Sequence, residues 1–138
     1  MKMKLFALAS LLVILAFQAE ASTCPNGLEV WLINGHGMTG DGLFSPDPYV
    51  VLKVGSDSRR SKTIRHTRNP SWWEKFMFNR VNSQMLVIEV WDKDGGIRGA
   101  DDKIGTCMHI IMPGTLTYQP IECRTNYNGY VKLFYKCP

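Results

Sequence analysis

Apolar and polar residues alternate with a period of two along most of this chain. The alternation predicts strands at 28–34 (LEVWLIN), 48–54 (PYVVLKV), 59–65 (RRSKTIR), 71–78 (SWWEKFMF), 85–91 (MLVIEVW), 103–111 (KIGTCMHII), 118–124 (YQPIECR) and 129–136 (GYVKLFYK). Within 71–78 it sets Trp72, Phe76 and Phe78 on one face. The run 85–91 is nearly all apolar, as a strand in the middle of a sandwich is. Turn chemistry separates the runs: NGHG, SPDP, VGSDS, RNP, DGG, MPGT and NYNG. No stretch sustains a helical period. Eight short strands predict an all-β fold, an eight-stranded antiparallel β-sandwich, with Trp72, Trp73 and Trp91 as framework residues.

The first residues break the alternation. Lys2 and Lys4 precede an apolar run of thirteen residues, Leu5 to Phe17, which is short for a membrane span. Ala19-Glu20-Ala21 follows with a small residue on either side of one spacer. This is the pattern of a secretory signal peptide at 1–21, leaving one domain at 22–138 and a secreted, extracellular protein. Removing 21 residues from 138 leaves 117, enough for a single core. The formal charge falls from +4 to +3 on losing Lys2, Lys4 and Glu20, well short of a nucleic-acid binder's balance.

Export changes the reading of the four cysteines, Cys24, Cys107, Cys123 and Cys137. They are expected as two disulfides, for which three connectivities exist. Cys107 and Cys123 flank a strand–turn–strand region and are expected to face each other across neighbouring strands. Cys24 and Cys137 then tie the chain ends together. No CxxC or HxxxH spacing supports zinc beside Cys107 or His109.

The candidate chemistry is carboxylate. The segment EVWDKDGGIRGADDKIG gathers Asp92, Asp94, Asp101 and Asp102 in one glycine-rich loop after a strand, and TGDGLFSPDPYV brings Asp41 and Asp47 in another. Any one of them alone reads as a turn residue. Together they repel unless a cation neutralises them, and hard oxygen donors on loops suit Ca²⁺. Asp92 and Asp94 flank Lys93, whose backbone carbonyl adds a neutral oxygen. An EF-hand is excluded: counted from Asp92, its glycine and glutamate positions hold Ile97 and Lys103, and the flanks are strands.

The segments DPYVVLKV, SKTIRHTRNPSWWEKFMF and LVIEVWDKD resemble the core signatures of C2 domains, and the resemblance runs over nearly the whole chain after the leader. The element at Asn69, Pro70, Trp72 and Glu74 is its most specific part. The resemblance implies a C2-type Greek-key sandwich and calcium-dependent binding to phospholipid membranes. It implies ligands at Asp41, Asp47, Asp92, Asp94 and Asp102, the last standing three positions before Gly105 as is usual in the family. One departure is the spacing from Asp94 to Asp102, which Gly95, Gly96 and Gly99 make longer than the family's usual loop. Asp101 and Asp102 are therefore both candidates. The segments GDGLFSPDPYV, DDKIGTC and NGYVKLFYKC resemble more closely the C-terminal C2 domains of perforins, without their pore-forming domain.

Leu43, Phe44 and Ile97 stand among the acidic residues, and apolar side chains at polar loop tips are expected to enter a lipid interface. The basic stretch offers Arg59, Arg60, Lys62 and Arg65 as an anionic-lipid face, or as a solvated strand face that protects a sheet edge. No nucleophile–base motif of a hydrolase and no P-loop is present, so no enzyme is expected. The expected partners are a phospholipid surface and, on a second reading, another protein of a perforin-like immune system that this chain would regulate. The expected state is a monomer, peripheral on membranes when calcium is bound.

Overall fold

The computed structural model describes residues 23–40, 44–94 and 99–138. The expected leader (1–21), Asp41, Leu43 and Ile97 lie outside the described residues. Strands β1 (Leu28–His36), β2 (Pro48–Val54), β3 (Asp57–Arg60), β4 (Ser71–Phe78), β5 (Met85–Asp92), β6 (Asp102–Ile110), β7 (Gln119–Arg124) and β8 (Tyr130–Lys136) follow in chain order. They form two four-stranded sheets, ordered β4-β1-β8-β7 and β3-β2-β5-β6. Every pairing is antiparallel.

The alternation explains the layering. Leu28, Val30 and Leu32 of β1 with Val131, Leu133 and Tyr135 of β8 face Val50 and Leu52 of β2 with Leu86, Ile88 and Val90 of β5, all buried in one core. The outward positions carry lysines, glutamates and aromatic rings. Bulges interrupt the period twice. One shifts the register between Leu32 and Asn34 of β1. The other lies where Val90 pairs with Gly105 but Trp91 pairs with Lys103. This second bulge makes Ile104 the extra residue of β6 and sets Asp92 directly opposite Asp102. Bulges commonly re-aim side chains beside functional sites.

Two expectations are corrected. The third strand spans 57–60, two residues earlier in its start and five earlier in its end than the pattern 59–65 predicts. Gly55, at φ 58°, allows the tight turn that starts β3 early. The Ser61 hydroxyl ends the ladder by accepting the Val50 amide at 2.8 Å. Trp73 is not a framework residue: it is 62 % exposed at φ 52°, whereas Trp72 is 5 % exposed. The unbroken alternation of β4 sets Trp73 outward with Ser71, Lys75 and Met77, and its ring meets Trp31 edge-on at 5.9 Å.

Both disulfides are present, Cys24–Cys137 and Cys107–Cys123, with Cα–Cα distances of 5.2 and 5.7 Å. Their positions add something to the expected pairing. β6 and β7 are terminal strands of different sheets, so Cys107–Cys123 staples the two sheets to each other.

Candidate functional site

The β1–β2, β3–β4 and β5–β6 connections meet at one end of the sandwich, and short-range chemistry holds them there. The Asn69 side chain accepts the Gly37 amide at 3.1 Å, and Pro70 offers its carbonyl to Gly35 at 2.8 Å. A side chain at Gly35 would run into Met38 and Pro70, so only glycine lets the strand end approach this closely. Trp72 donates its indole N–H to the Lys62 carbonyl at 2.9 Å, and Glu74 accepts the Lys62 amide at 3.0 Å. The Asn-Pro-x-Trp-x-Glu element is thus a clamp on the β3–β4 connection. It holds Arg65 and His66 beside the carboxylates.

The carboxylates are placed by backbone hydrogen bonds. The Asp47 amide donates to Asp92 Oδ1 at 2.8 Å, and Asp47 Oδ1 accepts the His66 amide at 2.6 Å. The Lys93 amide donates to the Asp47 carbonyl at 2.9 Å. Asp92 is 4 % exposed at the end of β5. One carboxylate oxygen from each of Asp92, Asp94 and Asp102 lies within 4.8 Å of the others. Two oxygens on one calcium ion, each at about 2.3–2.6 Å, stand at most about 5 Å apart. The donor set therefore fits one hard cation in spacing and chemistry.

Asp101 is engaged differently. Tyr49 donates its hydroxyl to Asp101 Oδ2 at 2.6 Å, and the Asp94 amide donates to Asp101 Oδ1 at 3.0 Å. The Tyr49 bond and then the Asp94 bond hold the Asp101 carboxyl below the usual range. Burial, and then the bond to Asp101, pushes the Tyr49 phenol up to about 12. Nothing in the sequence marks this contact, because its partners are 52 residues apart.

The remaining candidates divide. Phe44 is half exposed, as a loop-tip side chain should be. Arg59, Arg60, Lys62 and Arg65 do not share one face. Successive strand residues point to opposite sides, so Arg59 lies over the Phe78 ring at 4.9 Å and Arg60 over Tyr49 at 3.7 Å. Lys62 follows the end of β3. Arg65 instead joins Asp47, Thr63 and Lys93 around a cavity of about 130 Å³ beside the carboxylates. Sequence reasoning missed Thr63 and this use of Arg65 and the Lys93 side chain.

A family profile described as "C2 domain" matches residues 26–120. "Protein C2-DOMAIN ABA-RELATED 11" of Arabidopsis thaliana is 36 % identical over 87 residues, covering 62 % of this chain and 51 % of that one. "Perforin-1" of Rattus norvegicus is 30 % identical over 103 residues, covering 72 % of this chain and 18 % of that one. The chain thus spans about half the length of the first relative and under a fifth of the second. A solved, calcium-bound structure of two C2 domains of extended synaptotagmin 2 superposes with a TM-score of 0.69 at 23 % identity, covering 81 % of this chain and 45 % of that one.

Proposed function

Because this chain belongs to the C2 domain family, we propose that it is a secreted module that binds phospholipid membranes when calcium fills its acidic loops. The observation that carries this reading is the placement of Asp92, Asp94 and Asp102 around one point. Asp92 and Asp102 are direct cross-strand partners, an arrangement that destabilises a sheet when both carry like charge. A calcium ion turns that repulsion into attraction. Asp47 is not among these three carboxylates; its amide bonds Asp92 and its carboxylate accepts the His66 amide beside the set, and on this reading Asp47, Asp41 and the Lys93 carbonyl supply further oxygens.

Lipid binding follows from the same chemistry. Calcium keeps coordination positions that the protein does not fill, and phosphate oxygens of a headgroup suit them. Arg65, Lys93 and Thr63 around the adjoining cavity offer further charge and a hydroxyl to the same phosphate. Leu43, Phe44 and Ile97 then enter the interface. The leader at 1–21 directs export, and extracellular calcium is abundant enough for a weak site, on the order of 10⁻⁴–10⁻³ M. The likeness to rat perforin-1 supports a docking role in a perforin-like system. No catalytic role is assigned.

A specific surface favours a second reading, a protein-binding regulatory module. Met108, Ile110, Met112 and Leu116 are 57–79 % exposed. They start at the end of β6 opposite Asp102, on the order of 25 Å away at the usual rise per residue. Sedimentation with phosphatidylserine–phosphatidylcholine vesicles, in calcium and in chelator, decides between the readings. Calcium-dependent co-sedimentation is the expected result. Equal partitioning in both conditions overturns the membrane reading.

A further inference from the structure

Both oxygens of Asp101 are taken by donors from different elements. Oδ2 accepts the Tyr49 hydroxyl from β2, and Oδ1 accepts the Asp94 amide just beyond β5. Asp101 itself immediately precedes β6. One carboxylate therefore ties together three elements of one sheet at the edge of the acidic cluster. Asp94 supplies an oxygen to that cluster, whereas Asp101 is not among its members.

Tyr49 is well placed to serve as a fixed post. It is 5 % exposed, stacks on Trp91 at 6.4 Å with an interplanar angle of 6°, and lies under the Arg60 guanidinium at 3.7 Å. A ring held in this way has little rotamer freedom left, so its hydroxyl is a rigid donor. The bond is charge-assisted, which makes it one of the stronger kinds. The cluster's longest internal connection, from Asp94 to Asp102, is glycine-rich and costs entropy to order. A tether at Asp101 lowers that cost before any cation arrives.

We propose that Asp101 is a positioning residue and not a calcium ligand: through Tyr49 and the Asp94 amide it pre-orders Asp94 and Asp102, and the Tyr49 hydroxyl thereby sets calcium affinity. The inference rests on the calcium reading above and deepens it. It also separates the two adjacent aspartates by role, Asp102 toward the ion and Asp101 toward the protein.

The test is calcium titration calorimetry on the wild type and on Tyr49→Phe, Asp101→Ala, Asp101→Asn and Asp102→Asn. Tyr49→Phe keeps the stacked ring and loses only the hydroxyl, and is expected to weaken affinity about tenfold. Asp101→Ala is expected to weaken it at least as much. Asp101→Asn is expected to rescue to within about fivefold of wild type, because an amide can accept the Asp94 N–H and donate to the Tyr49 oxygen. Asp102→Asn is expected to lose about a hundredfold. Wild-type affinity in Tyr49→Phe overturns the proposal, as does an Asp101→Asn loss equal to that of Asp102→Asn. A wild type that binds no calcium overturns the calcium reading instead. Amide exchange of Asp94 in calcium-free protein then tests the tether alone: faster exchange in Tyr49→Phe supports it, and unchanged exchange overturns it.

Discussion

The amide of Asp47 donates a 2.8 Å hydrogen bond to the carboxylate of Asp92, 45 residues further along the chain. This one bond joins the two acidic loops before any ion is present. It also fixes how the Asp92 carboxylate is turned toward the cluster. Asp92 therefore combines a folding role with its proposed binding role in the same side chain. Its substitution confounds the two, and Asp102 is the cleaner probe.

Asp102→Asn should change stability with opposite sign in two conditions. In chelator the Asp92–Asp102 pair is a like-charged cross-strand pair, and removing one charge is expected to leave stability unchanged or raise it by up to about 1 kcal/mol. In calcium the wild type gains RT ln(1 + [L]/Kd), about 1.4 kcal/mol at ten times Kd, and the variant gains little of it. Melting temperatures of both proteins in both conditions check this. A variant that is less stable than wild type in chelator would show that Asp102 is structural.

Glu89 predicts an acid-sensitive contribution to stability away from the loops. It is 7 % exposed on the outer face of β5, between Lys53 and Lys103, each at 3.1 Å. Burial pushes its pKa up, but hydrogen bonds from Lys103 and Lys53 outweigh this and hold the carboxyl below its ordinary 4.5. A depressed folded-state pKa means stability that is present above the unfolded value and lost as pH falls through the folded one. Glu89→Gln should thus cost about 1 kcal/mol at pH 7, a figure kept small because both lysines are nearly half exposed. The difference from wild type should shrink below pH 4.5 and fade as the folded carboxyl takes up its proton. Urea unfolding across this range reads it, and a pH-independent difference would rule out the ionised pair as the cause.

The bridge Cys24–Cys137 spans 113 residues of sequence. In the chain-entropy model a loop of that size is worth up to about 4.7 kcal/mol. Replacing both cysteines by alanine should therefore lower the melting temperature by more than replacing Cys107 and Cys123, which close only 16 residues. Non-reducing peptide mapping checks the pairing itself, and a Cys24–Cys107 peptide would contradict it.

The strands were legible because this sandwich is half exposed on each sheet, so inside and outside alternate in the sequence. Seven of the eight strands have boundaries within two residues of the pattern. The exception, β3, ends early because the Ser61 hydroxyl replaces a ladder bond, and a serine gives no periodic signal. The exposure of Trp73 was legible in the alternation, which sets Trp72, Phe76 and Phe78 on the opposite face; counting Trp73 with the framework rested on its residue type and overrode that pattern. The carboxylate set was legible as composition. The division of labour between Asp101 and Asp102 was not, since it depends on a tyrosine in another strand.

Docking without breach is the remaining expectation, and its parts separate experimentally. Among the described residues no helix is long and apolar enough to cross a membrane. Six of the eight strands among the described residues are four to eight residues long, shorter than the about 9–11 a membrane barrel strand needs. Their outward positions also carry Lys53, Lys75, Lys132 and Lys136, which a lipid-facing strand would not tolerate at depth. Contact is therefore expected at the loop end only. Calcium first cancels the repulsion between the acidic loops and headgroup phosphates. Leu43, with Phe44 and Ile97, then enters the interface, each side chain contributing at most about 1.5–3 kcal/mol if fully buried. The order has a measurable signature. Asp92→Asn should raise the calcium needed for half-maximal vesicle binding. Leu43→Ala with Phe44→Ala should leave the free protein's calcium affinity unchanged and weaken retention at saturating calcium in high salt, where the ionic part is screened. If the double variant is retained as well as wild type, insertion is wrong and binding is purely ionic. If dye-loaded vesicles leak on adding this protein and calcium alone, the expectation that it docks without breaching the membrane is wrong.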